Sequence, residues 1–188
     1  DGAQIAGPTV IAGTSDSAET LGAAPHLNLR DFWIITSTGE RNAILVIAVT
    51  PDGVSDAVVH VQEGGSVPGS LGQFAFTSDS RRVAAAGGAL NLWDFNAVTG
   101  EISNQVHIAA PTPSTAVTGG GNSMYGVAFS PDNRKLYVQM YRPAPAILQY
   151  DLDDDMALTE LGNSNGPYGG ALSLAVDGKI YTGSYNGG

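Results

Sequence analysis

Asp151, Asp153 and Asp155 alternate along the chain as the first ligands of a calcium loop do, with Asp154 adding charge. Alternation suits Ca²⁺ because a short loop must wrap its carboxylates around a hard cation. A helix–loop–helix calcium site also needs glycine at its sixth position and glutamate at its twelfth, where this sequence has Met156 and Gly162. The triplet is therefore read as a solvated acidic turn between two strands, with a loose Ca²⁺ site as the alternative and no other cofactor implied. Gly162-Asn-Ser-Asn-Gly166 has the outline of a nucleophile elbow. Such an elbow sits between a strand and a helix and needs a later histidine. Here a Gly-Pro-Tyr-Gly-Gly turn follows, and His26, His60 and His107 all lie upstream, so Ser164 is read as part of a loop.

The three histidines share no i, i+2 or i, i+4 spacing that would gather them on a metal. His26 is expected to serve a turn through a hydrogen bond. The triple glycine at 119–121 lacks the Gly-Lys-Ser/Thr of a phosphate loop. Trp33, Trp93, Tyr137 and Tyr181 fall at alternating positions of strand-like runs, which suits packing between layers, with a carbohydrate-binding surface as the alternative. No residue is assigned a catalytic role.

Composition narrows the partners. The 188 residues carry 8 basic and 18 acidic side chains, a formal net charge of −10, and no cysteine. Thiol chemistry and disulfides are excluded, and an acidic surface argues against a nucleic-acid or anionic-membrane partner. No run reaches the ~20 apolar residues of a spanning helix, so membrane insertion by a helix is not expected.

The elements that must position these residues are short strands. Phe32-Trp-Ile-Ile-Thr36, Ala43-Ile-Leu-Val-Ile-Ala-Val49, Val58-Val-His-Val61, Lys135-Leu-Tyr-Val138 and Ala146-Ile-Leu-Gln-Tyr150 are rich in branched and aromatic residues and bounded by turn formers. They repeat. Gln73–Val83 aligns without a gap on Gly126–Leu136, placing Phe76 on Phe129, Asp79 on Asp132 and Arg82 on Lys135. A shorter copy runs from Ala171 to Ile180, and a degenerate one from Ala23 to Phe32 with Asn28 at the Asp place. The marker positions 28, 79, 132 and 177 are 51, 53 and 45 residues apart. Each copy continues to an aromatic–Asp pair, Trp93-Asp94 or Tyr150-Asp151, before another polar turn. Four strands per ~40–50 residues is the signature of a β-propeller blade.

The expected fold is an all-β propeller: an outer strand at 1–13, blades at 20–62, 70–110 and 123–162, and a first hairpin of a next blade at 169–185. Three blades with partial ones at both ends describe an open arc, so completion of the ring by the remainder of a longer chain or by a protein partner is expected.

The series Ala24-Pro-His-Leu-Asn28, Leu92-Trp-Asp-Phe-Asn96, Tyr125-Gly-Val-Ala-Phe-Ser-Pro-Asp132 and Asp177-Gly-Lys-Ile-Tyr181 resembles a WD-like β-propeller. More narrowly, it is similar to propeller segments of secreted Bacteroidota proteins exported by the type IX route and grouped with gliding motility and cell-surface attachment. That resemblance implies an extracellular or cell-surface location and a non-enzymatic scaffold or adhesive interaction module, with protein or glycan partners. The candidate surfaces are the connections 14–19, 63–70, 111–123 and 163–169, since loops on a rigid frame carry function. A sialidase-type propeller shares only the opening of the Ser130-Pro-Asp132 turn. The enzymatic alternative is a lactonase-type or glycan-processing propeller hydrolase, and a carbohydrate-binding propeller is a third reading. Against catalysis stands the poverty of proton-exchanging groups on the innermost strands, which offer Gly72, Gln73, Tyr125, Gly126, Gly170 and Ala171.

Overall fold

The computed structural model describes residues 17–38, 43–61, 72–111, 123–142, 146–163 and 168–185, which hold strands and turns and no helix. The first sheet runs β1 (Ser17–Pro25), β2 (Phe32–Thr38) and β3 (Ala43–Thr50), with a fourth strand in two pieces, β4 (Gly53–Val54) and β5 (Val58–Val61), both on β3. The second comprises β6 (Gln73–Phe76), β7 (Arg82–Ala86), β8 (Ala89–Phe95) and β9 (Ile102–Ala109). The third comprises β10 (Ser123–Phe129), β11 (Lys135–Arg142), β12 (Ala146–Asp151) and β13 (Ala157–Asn163). A hairpin of β14 (Tyr168–Leu174) and β15 (Ile180–Tyr185) follows. All pairings are antiparallel between chain neighbours.

The sheets stack face to face. Period-2 alternation gives each strand two apolar faces, and the second sheet uses both. Val83 and Ala85 turn toward the first sheet, into a cluster with Trp33, Ile35, Ile44, Val46, Phe74 and Trp93. Ala84 and Ala86 turn the other way, joining Leu90, Val127, Leu136, Val138 and Leu148. Small alanines on β7 let neighbouring sheets close on the larger side chains, each worth ~1.5–3 kcal/mol on full burial. The first strands contact one another in chain order, β1 with β6, β6 with β10, and β10 with β14. Sheets radiating from such a row are the blades of a β-propeller.

Antiparallel meanders have two distinct ends. The turns joining first to second and third to fourth strands lie at one end; the β7–β8 turn at Gly87 and Gly88, and the strand ends from which the chain passes between blades, lie at the other, the linker end. At the first end the repeat acquires its physical meaning. Asn28, Asp79, Asp132 and Asp177 each accept, through a side-chain oxygen, the backbone N–H two residues on, at 3.0, 3.1, 3.2 and 3.1 Å. The residue after each marker is left-handed: Leu29 (φ 57°), Ser80 (φ 55°), Asn133 (φ 60°) and Gly178 (φ 76°). All four copies thus make one turn, a side-chain-capped loop with one positive φ. The aromatic–Asp pairs have a related meaning. Asp94 lies opposite Arg82 and Asp151 opposite Lys135, so the two aligned cations meet the two aligned carboxylates across a strand pair, while Trp93 and Tyr150 are buried in the core.

Candidate functional site

Charge gathers at the turn end. Every described lysine and arginine except Arg142 belongs to it, and so do Asp31, Asp79, Asp94, Asp132, Asp151 and Asp177. These carboxylates are committed to their turns. Ser130 Oγ donates to Asp132 at 2.5 Å, which with the Arg134 amide holds that carboxyl below the usual range. The Lys179 amide and the Tyr181 hydroxyl do the same for Asp177, and an Asn28 hydrogen bond for Asp31.

The acidic triplet falls in the β12–β13 turn. Asp151 accepts from Lys135, which lowers its pKa, and also from the Asp153 amide at 3.1 Å. Asp153 accepts from Arg134, and Asp155 is exposed. Cations therefore already sit on two of the three carboxylates, and no group of three metal-ligating side chains occurs among the described residues.

The histidines stay apart. His26 lies in the β1–β2 turn, where Nδ1 accepts the Asn28 amide at 3.0 Å, and Nε2 therefore donates to Val98 O at 3.0 Å. Its ring stacks on Trp33, whose indole N–H donates to Ala97 O at 2.9 Å, so the pair docks the first blade on the second. Gly100 sits under that indole with φ 75°, and a Cβ there would come within 2.7 Å of the ring. His60, whose pKa burial lowers, and His107 belong to the fourth strands, away from the inner row. Trp33 and Trp93 are buried between blades, whereas Tyr181 stands 55% exposed on the hairpin's last strand. Ser164, the triple glycine and most of the four proposed connections lie outside the described residues.

The other end differs in kind. Gln73, the first residue of β6, sends its amide across the inner row: Oε1 accepts from Val127 N at 3.2 Å and Leu172 N at 3.0 Å, and Nε2 donates to Leu172 O at 2.7 Å. One side chain thereby ties three blades. Gly126 makes room for the tie, since a Cβ there would lie 2.7 Å from Leu172 N. Beside it, at the boundary of the third blade and the hairpin, Tyr125, Tyr141 and Tyr168 form a row. Their ring centroids are 6.0 and 5.3 Å apart, the second pair stacked at 27°. All three are partly buried. Gln73 and Tyr125 are visible in the sequence as innermost residues; the row is not, because its members share no spacing.

No protein-family model and no curated protein matches the chain. Solved structures do. A protein of Bacteroides uniformis described provisionally as a 6-phosphogluconolactonase matches 94% of this chain and 51% of its own, with TM-score 0.64 at 14% identity. The periplasmic gluconolactonase of Pseudomonas aeruginosa matches 85% of this chain and 45% of its own, with TM-score 0.61 at 13% identity. A protein from Lactobacillus plantarum matches 88% and 48%, with TM-score 0.64 at 16% identity. The fold is a β-propeller. This chain spans about half the length of the structures it matches.

These likenesses correct the expectation of a non-enzymatic scaffold or adhesive module. The same blade arrangement occurs in lactonases, and the enzymatic alternative accounts for the comparisons better. The narrower likeness to type IX and gliding-motility proteins finds no counterpart in these structures, and the resemblance stands as one of propeller fold. No helix of the described residues is long and apolar enough to cross a membrane.

Proposed function

We propose that this chain belongs to a lactonase-type propeller that hydrolyses the cyclic ester of a sugar acid at the end where the blades are linked. The observation that supports the reading most is the match of nearly the whole chain to two propellers described as acting on gluconolactones. The distribution of chemistry agrees with it. Carboxylates and cations at the turn end are occupied in holding turns, while among the described side chains the linker end presents three tyrosine rings, aromatic groups with hydroxyls suited to a neutral, hydroxylated ring. In the reaction, water adds to the lactone carbonyl carbon, the ring C–O bond breaks, and the ring oxygen takes a proton to leave an open hydroxy acid. An exported setting accords with the periplasmic location of one matched protein.

The test is hydrolysis of D-glucono-1,5-lactone and of its 6-phosphate, followed by acid release in weak buffer. The expected result is a rate above the spontaneous one that scales with protein concentration. Rates equal to the spontaneous reaction for both lactones would rule the reading out.

A further inference from the structure

We infer that the Tyr125–Tyr141–Tyr168 row is a binding platform for the hydroxylated ring of a sugar or sugar lactone; only this choice of ligand class rests on the lactonase reading. Strand register sets these tyrosines apart. On β10, Met124 pairs with Met140 and Gly126 with Gln139, so Tyr125 is an extra residue that pairs with nothing opposite. On β11, Arg142 pairs with Ser123 and Met140 with Met124, so Tyr141 is likewise extra. The β14–β15 register shifts again just after Gly169, beside Tyr168. A bulge takes its residue out of the in–out alternation and re-aims the side chain, which is why bulges collect beside active sites. Two successive bulges thus each release a tyrosine, and both rings turn to the same place.

Packing between blades does not require this. The neighbouring boundary, between the second and third blades, is filled by Leu90, Leu92, Val127, Leu136, Val138 and Met140, all buried. At the tyrosine boundary stand three half-buried residues whose rings bear hydroxyls instead. Tyr141 lies in the middle of the row, and the two outer rings each give one aromatic face to it. The outer face of Tyr125 continues the stack for a ligand ring whose C–H groups are apolar and whose hydroxyls reach water or the tyrosine O–H groups. The tie from Gln73 to Leu172 and the backbone bond from Met124 N to Gly87 O at 2.7 Å hold the strands that carry the row.

The experiment uses the lactam of gluconic acid, which keeps the hydroxylated ring but is not hydrolysed. Titrated into the wild-type chain with labelled tyrosine rings, it is expected to shift ring signals that are lost on replacing Tyr125 or Tyr168. In binding measurements, Tyr125→Ala is expected to weaken the lactam about tenfold, and Tyr125→Phe, which keeps the ring, by no more than about threefold. Unshifted tyrosine signals in the wild type overturn the inference, whether or not the alanine variant folds. So does a folded Tyr125→Ala that binds as the wild type does. Lactone hydrolysis with no tyrosine response would leave the lactonase reading standing and remove the platform, and lactam binding without hydrolysis would do the reverse.

Discussion

Replacing Gln73 tests whether one amide holds three blades together. In Gln73→Met the side chain keeps its length and apolar stem but loses three hydrogen bonds to two residues that are 0% and 2% exposed, Val127 and Leu172. A net loss of about 1 kcal/mol per bond, with buried N–H groups left unsatisfied, predicts a destabilisation of about 2–4 kcal/mol. For a chain of this size that corresponds to a fall in thermal midpoint of roughly 4–16 °C. Gln73→Glu separates the contributions: its carboxylate can still accept from both amides, but it cannot donate to Leu172 O and instead faces that carbonyl. It should therefore lose stability as well, while keeping the two amides protected. Hydrogen exchange reads this directly. The Val127 and Leu172 amides should exchange faster in Gln73→Met than in the wild type, beyond the change at amides of the first blade. A midpoint within about 1 °C of wild type, with those two amides unchanged, would refute the tie.

Tyr150 is 2% exposed, its hydroxyl has no hydrogen-bond partner among the described residues, and burial pushes its pKa up to about 12. Tyr150→Phe should accordingly stabilise the fold by about 1 kcal/mol in urea unfolding, and a clear loss would show that the hydroxyl is satisfied. Leu29 is left-handed and 86% exposed, so it bears conformational cost without burial. Leu29→Gly is expected to raise stability by about 0.5–1 kcal/mol, visible as a higher thermal midpoint; an unchanged or lower one counts against the shared-turn geometry. Asp31, Asp132, Asp151 and Asp177 all titrate below the ordinary carboxylate range when folded. Groups with depressed folded pKa stabilise above the unfolded value of about 4, and that stability is lost as pH falls through the folded pKa. Urea midpoints should therefore hold from pH 7 to about 5 and decline below about 4, less steeply in Asp132→Asn; a decline as steep in that variant would remove Asp132 from the account.

The fold was legible because the repeat encodes a local device. A side-chain oxygen that caps the amide two residues on needs only its own turn, so Asp79, Asp132 and Asp177 announce it in the sequence, and even Asn28 can be found by alignment. The Arg82–Asp94 and Lys135–Asp151 pairs were legible in part, since the cations align and the carboxylates align, though only strand register sets them face to face. The tie and the tyrosine row were not. Gln73 and Gly126 occupy the same repeat position, yet one reaches across the inner row and the other is the gap that lets β14 approach. Likewise Tyr125 and Tyr141 owe their placement to extra residues in the ladder, which leave no periodic trace.

That contrast bears on where this propeller keeps its chemistry. A repeat preserves what every blade needs, and every blade needs its turn closed, so the ionisable groups that repeat are those already committed to backbone amides and cross-strand partners. Chemistry directed at a ligand requires groups that differ from blade to blade and face a common space. Among the described residues the tyrosines of the proposed platform, Tyr125, Tyr141 and Tyr168, meet those conditions at the linker end, where they depart from their repeat counterparts or from the ladder and lie on the inner strands or just beside them. Enzymatic work on this chain should therefore begin with substitutions that break the repeat's regularity, since those that follow it report on turns.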